Sequence, residues 1–96
     1  MPAAQSVNTM TWFVYLIECA DTSIYTGIAI DVAARYQAHA SGKGARYMRA
    51  HPPKRLLATF AYPDRSAASK AEYRVKQMSA REKRALCRAH NSSVSK

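Results

Sequence analysis

The chain has 96 residues, 48% of them hydrophobic, with 15 Lys and Arg against 6 Asp and Glu, a formal net charge of +9. That length sets one domain with one modest core, since a chain of this size buries about two-thirds of the surface it exposes unfolded. No apolar run approaches the roughly 18 residues a membrane-spanning helix needs, and no basic segment followed by an apolar stretch marks a signal peptide.

Residues 1–10 mix Pro, Ala, Gln, Ser, Asn and Thr without period and read as a flexible tail. Trp12 to Cys19 is a near-continuous apolar and aromatic run, as in a buried strand, and Ile24 to Ile28 is a second. The polar stretch Ala20-Asp21-Thr22-Ser23 between them makes the pair a β-hairpin, with Tyr15 on one strand, Tyr25 on the other, and Gly27 just ahead of a helix start. Asp31 is a good N-cap; Val32, Arg35, Tyr36 and His39 then recur at helical spacing until Ser41-Gly42-Lys43-Gly44 stops the helix. Ala45 to Ala50 reads as a short helical turn ended by Pro52-Pro53, and Arg55 to Tyr62 as a third strand closed by Pro63-Asp64. Ser66 to Met78 predicts a helix with Ala68, Ala71, Val75 and Met78 on one face. Ser79-x-x-Glu82 is a capping box opening a last helix from Ala80 to about Ala89, and residues 91–96 read as a second flexible tail.

The order β-β-α-β-α-α predicts an α/β (α+β) fold: a small three-stranded, mostly antiparallel sheet flanked by helices, in one domain over residues 11–90. Cys19 and Cys87 form no CxxC pair and no zinc-ligand spacing, so buried, reduced thiols in a cytoplasmic protein are expected. The charge excess predicts salt-sensitive attraction to polyanions, with nucleic acid as the expected partner. The basic residues are spread over all the elements rather than along one amphipathic helix, which argues against a membrane surface. A basic surface that only aids solubility is the plainer alternative.

Several motifs carry chemistry in combination. Phe13-Val14-Tyr15 precedes Tyr25-Thr26-Gly27; Arg35 and His39 follow on a helix; Gly42-Lys43-Gly44-Ala45-Arg46-Tyr47 comes next; Glu72 stands in a later helix ahead of Val75-Lys76. In this arrangement the chain resembles the GIY-YIG nuclease superfamily, in particular its small stand-alone bacterial members, over residues 12–87. Members often carry Ile-Thr after the second motif, Asn after the histidine and Thr after the tyrosine of the Gly-Lys-Gly segment. Here those places hold Ile28-Ala29, Ala40 and Met48, with the loss of hydroxyl and amide groups.

The resemblance implies a metal-dependent endonuclease that hydrolyses DNA phosphodiester bonds and leaves 5′-phosphate and 3′-hydroxyl ends. With no appended recognition domain in view, single-stranded or branched DNA in repair or recombination is the expected substrate. The resemblance also implies Tyr15 as general base or water-orienting group, Tyr25 as a hydrogen-bonding partner of water or phosphate, His39 as a relay or orienting group, and Gly27 as structural at the site.

The residues themselves leave plainer readings open. A phenol, with its pKa near 10, is a poor base unless the site lowers it, and strand tyrosines are ordinary in sheets. Arg35 has forked donors that match phosphate oxygens, but its i,i+4 place also allows a weak pair with Asp31. A lone helix histidine such as His39 is commonly just a surface or core residue. Glu72 is the best metal ligand available, for one Mg²⁺ or Mn²⁺ ion that keeps most of its waters; its alternative is a capping box with Ser69. Lys43, Arg46, Tyr47, Arg49, Lys54 and Arg55 form a basic stretch with one aromatic, suited to phosphate contacts and one stacked base, or to a solvated loop. Arg74, Lys76, Arg81, Lys83, Arg84 and Arg88 extend that patch or simply cover helix surfaces.

One geometric condition follows. Opposed strand residues share a face, so an even hairpin loop puts Tyr15 and Tyr25 on opposite faces, and an odd loop or a bulge puts them together. Shared action therefore predicts an odd loop or a bulge near Ala20 to Ser23. The rival functional class is a nucleic-acid-binding module of the same fold with little or no catalysis. A basic structural protein in a larger assembly is a third reading.

Overall fold

In a computed structural model, which describes residues 10–94, strand β1 (Trp12–Cys19) is the middle of a three-stranded antiparallel sheet. It lies between β2 (Ile24–Ala29) and β3 (Pro53–Tyr62). Helices α1 (Val32–Ala40) and α2 (Arg46–Ala50) precede β3, and α3 (Arg65–Lys76) and α4 (Ala80–Val94) follow it, in the order expected from the sequence. The tail read over residues 1–10 lies, apart from Met10, outside the described residues, as do the last two residues of the tail read over 91–96.

Val14 through Cys19 are all buried, because β1 is covered on both faces. Its alternate residues feed two separate cores. Val14 and Leu16 pack with Ile24, Ala58, Ala68, Ala71, Val75 and Cys87, which puts α3 and α4 on that face. Tyr15, Ile17 and Cys19 pack with Ala29 and Met48, flanked by Val32, Tyr36 and Ala45, which puts α1 and α2 on the other. Both cysteines are free and buried, and burial pushes both thiols up.

The hairpin turn meets the parity condition. Cys19 N–H donates to Ser23 O at 2.8 Å and Thr22 N–H to Cys19 O at 2.9 Å, leaving the odd loop Ala20-Asp21-Thr22. Thr22 takes the left-handed conformation at φ 70, as the last residue of such three-residue loops does. The ladder pairs Tyr15 with Gly27 and Ile17 with Tyr25, so the two tyrosines share the α1 face.

Helix ends follow the local chemistry. Asp31 Oδ1 accepts from Ala34 N–H at 3.0 Å to start α1. At its end Gly42, at φ 82, donates to His39 O and Lys43 N–H reaches back to Ala38 O, a Schellman closure. Ser79 and Glu82 exchange both bonds of the capping box, at 2.8 and 3.1 Å.

Several boundaries differ from the sequence reading by a residue or more, and three of them have a visible cause. Helix α3 starts one residue earlier, capped by Asp64, whose Oδ1 accepts from Ala67 N–H at 2.8 Å. Strand β3 begins at Pro53, since an edge strand tolerates proline as its first residue. Helix α4 runs to Val94 rather than Ala89, because Asn91 Nδ2 donates to Leu57 O at 3.1 Å and the His90 ring lies 4.2 Å from Phe60. No helix among the described residues is long and apolar enough to cross a membrane.

Candidate active site

Tyr15 is 1% exposed, and its hydroxyl oxygen stands 3.0 Å from Nε2 of His39, which is equally buried in the last turn of α1. The other ring nitrogen, Nδ1, accepts from Ala45 N–H at 3.3 Å. Burial, with the charge of Arg35 adding to it, pushes the His39 pKa down, so the ring is neutral. A neutral ring whose Nδ1 accepts carries its proton on Nε2. His39 therefore donates to Tyr15 and leaves the phenolic O–H of Tyr15 to point elsewhere. Burial pushes the Tyr15 pKa up to about 12, reinforced by Tyr25, while hydrogen bonding to and the charge of Arg35 pull it down. Arg35, on an exposed position of α1, thus bears on both members of the pair.

Tyr25 completes the cluster. Its ring centroid lies 6.1 Å from Tyr15 and 5.3 Å, edge-on, from His39. Gly27 leaves the room for this: a Cβ there would come within 2.6 Å of the Tyr15 oxygen and 3.0 Å of the Tyr25 ring. Gly44 does the same for His39, since a Cβ on it would overlap the imidazole Nδ1.

Glu72 has its own surroundings. It lies on α3, the helix packed on the Val14 and Leu16 face of the sheet, with its side chain 21% exposed and 3.2 Å from Lys76 Nζ. Because α3 begins at Arg65 with Asp64 as its cap, Ser69 is an interior helix residue and the capping reading of Glu72 drops out. Ala71, Arg74 and Met78 line a hollow with Phe60, Tyr62 and Leu86 on the β3 side. The Ala68–Glu72 flank is therefore turned toward the edge strand β2. Thr26 faces the same side, and its buried hydroxyl has no hydrogen-bond partner among the described residues.

No group of three His, Cys, Asp or Glu collects anywhere among the described residues. The donor set at this flank is one partly exposed carboxylate, a hard oxygen ligand that fits Mg²⁺ or Mn²⁺ with most of its water shell retained.

Lys43, Arg46 and Arg49 are exposed along the α1–α2 connection and α2, on the tyrosine side of the sheet. Arg55 is not part of that patch. It turns to the opposite face, where its Nε lies 2.6 Å from the buried Glu18, which Arg84 also holds at 3.0 Å.

Sequence reasoning missed Asp21, Ser23 and His51. Tyr47 O–H donates to Ser23 Oγ at 2.8 Å, Ser23 O–H to Asp21 Oδ1 at 2.6 Å, and Asp21 Oδ2 lies 2.6 Å from His51 Nδ1. The i,i+4 spacing of Tyr47 and His51 was the available signal, though Pro52-Pro53 directly after His51 hid it by ending the helical reading there.

Comparison with known proteins agrees with this architecture. The family model described as GIY-YIG catalytic domain matches residues 11–85. The chain is 50% identical over 76 residues to the UPF0213 protein Reut_B5558 of Cupriavidus pinatubonensis, covering 79% of this chain and 84% of that one. It is 51% identical over 75 residues to the UPF0213 protein YhbQ of Escherichia coli, covering 78% and 75%. The solution structure of the UPF0213 protein BH0048 from Bacillus halodurans superposes with a TM-score of 0.51 at 49% identity, covering 80% of this chain and 82% of that one. That of protein EF2693 from E. faecalis gives 0.60 at 29% identity, covering 88% and 90%. With its sheet, its paired tyrosines and its helical arginine and histidine in place, this chain belongs to the GIY-YIG catalytic domain family.

Proposed function

We propose that this protein is a divalent-metal-dependent endonuclease that hydrolyses phosphodiester bonds of single-stranded or branched DNA, in repair or recombination. Its domain family is one of endonucleases. The observation that supports the reading best is the Tyr15–His39 hydrogen bond beside Tyr25, with Arg35 acting on both partners. Tyrosines serving only as sheet residues would not need a buried histidine fixed through both ring nitrogens.

In this reading Tyr15 first gives its own proton to solvent, and the resulting phenolate oxygen, held by the Nε2–H of His39, orients the attacking water and takes its proton. Arg35 sets its fork against the non-bridging phosphate oxygens and stabilises the charge that builds on them. It also draws the Tyr15 proton toward release, against the burial that retains it. Tyr25 donates its hydroxyl to water or phosphate. Glu72 would hold a divalent ion, whose chemistry when bound would be positive charge near the phosphate. Lys43, Arg46, Arg49 and Lys76 take the flanking phosphates, and Tyr47 stacks beside Tyr25 at the same site.

The test is cleavage of labelled single strands, duplexes, flaps and junctions with Mg²⁺ or Mn²⁺. Activity is expected to disappear in Glu72→Ala and Tyr15→Phe; undiminished cleavage by both proteins would sink the assignment.

A second reading, a nucleic-acid-binding module with little or no cleavage, is favoured by one observation. Tyr15 is pushed up to about 12 in the free protein, far from the range of an efficient base. That reading predicts salt-dependent binding that survives Glu72→Ala, with no metal-dependent product.

A further inference from the structure

The aromatic cluster does not end at Tyr25. Tyr47 stacks near it at 5.8 Å with planes 25° apart, and His51 stacks on Tyr47 at 4.1 Å and 19°. The rings pass from the buried Tyr15 out to the 39% exposed Tyr47 and the His51 side chain at 33%. Tyr47 has Tyr25 and His51 against its ring, so His51 is the terminal ring of the series. Tyr47 lies in the first turn of α2 and His51 is the residue that caps its end, four positions on.

This end of the series is fixed in place. The chain of bonds from Tyr47 through Ser23 to Asp21 holds the inner ring to the hairpin turn, and the other oxygen of Asp21 holds His51 Nδ1. Asp21 is a carboxylate at all ordinary pH, held down to about 2 by the Ser23 hydroxyl first, then by the Ser23 backbone and His51. A ring already immobilised loses little freedom when a ligand stacks on it. The neighbouring Arg46, Arg49 and Lys54 are exposed, as cations serving the phosphates on either side of a stacked base would be.

We propose that the outer face of His51, held by Asp21, is a stacking site for one unpaired nucleobase of a single strand lying across the Tyr15 face. This rests on the nucleic-acid reading above and adds a base-contacting residue on the far side of Tyr47. A purely structural role, in which the Asp21–His51 contact only pins the hairpin tip to α2, is the competing explanation.

The test uses the full chain carrying Glu72→Gln, to prevent cleavage, and fluorescence anisotropy of a labelled oligodeoxythymidine of about a dozen nucleotides, long enough for one such groove. His51→Ala is expected to weaken binding about tenfold, the scale of one lost base stack. His51→Phe, which keeps an aromatic face without the Asp21 bond, is expected to stay within about threefold on the same scale. The decisive comparison is a set of strands each carrying one abasic site. At one position the abasic strand should bind the parent weakly and lose almost nothing further on His51→Ala. Duplex DNA, whose bases are already stacked, should be insensitive to the substitution.

Equal binding of the intact strand by parent and His51→Ala overturns the proposal, and so does an equal loss on every abasic strand. If His51→Ala does not melt as a folded protein, the same comparison is made between His51→Phe and His51→Leu. Failure of the protein with Glu72 intact to cleave any DNA would remove the nuclease reading and leave the stacking result standing.

Discussion

Gly44 lies so close to the ring of His39 that a methyl group on it would overlap Nδ1. Gly42, two residues earlier, has nothing within 4 Å of a Cβ but sits at φ 82. The two glycines therefore fail differently. Gly44→Ala is expected to displace His39, break its bond to Tyr15, lower cleavage at least tenfold and destabilise by about 1–3 kcal/mol, as overpacking does. Gly42→Ala is expected to lose about 1–2 kcal/mol through backbone strain alone and to keep its cleavage rate while folded. Melting curves and initial rates on the two proteins separate the cases.

The raised pKa of Tyr15 has a consequence at high pH. With the folded value near 12 against 10.0 unfolded, the unfolded chain releases this proton first as pH rises. Stability from this group is complete below pH 10 and is lost between 10 and 12. In an ultraviolet titration one phenol should ionise well after exposed tyrosines, and Tyr15→Phe should remove that late step.

His39 gives the opposite dependence at low pH. Its folded pKa lies below the ordinary 6.5, so the unfolded chain takes up the proton first as pH falls. Stability contributed by the neutral ring is present above 6.5 and declines below it. Urea midpoints at about pH 5 and about pH 7.5 should differ less in His39→Gln than in the parent.

Glu72→Gln separates catalysis from folding. Its partner Lys76 is an exposed i,i+4 neighbour, so the lost ion pair is worth at most about 0.5 kcal/mol. Melting should be nearly unchanged, while metal-dependent cleavage should fall by orders of magnitude and excess Mg²⁺ should not restore it.

Thr26 offers a test of the core. A buried hydroxyl without a partner carries a desolvation penalty of about 1–3 kcal/mol, and valine has nearly the same shape. Thr26→Val is expected to raise the melting temperature. A clear drop would mean that the hydroxyl has a partner in solution, with water between β2 and α3 the first candidate.

The local features were legible in the sequence because local rules govern them: the hairpin, the Asp31 cap, the Ser79-Glu82 box and the stop at Gly42 each depend on a few neighbouring residues. The convergence of Tyr15 with His39, 24 positions away, was visible only through the resemblance, since no periodicity links a strand residue to a ring in the next helix. Other contacts left no local trace. Asp21 meets His51 across 30 positions, and Arg55 leaves its basic neighbours for Glu18 on the reverse face. The extension of α4 past Ala89 also hid, because Asn91 and its serine neighbours are weak helix formers and the contact that retains Asn91 is to β3.

The three-residue turn at Ala20-Asp21-Thr22 makes this protein tolerant of spelling and intolerant of counting. Its residues can change wherever the left-handed place of Thr22 is respected, and glycine there would fit with less strain. If the three-residue turn re-forms after one residue is removed or added, the register slips by one, which would carry Tyr25 to the α3 side and bring Thr26 to the α1 side in its stead. Single-residue insertions and deletions in this turn should thus be rarer among working variants than substitutions at any of its three positions.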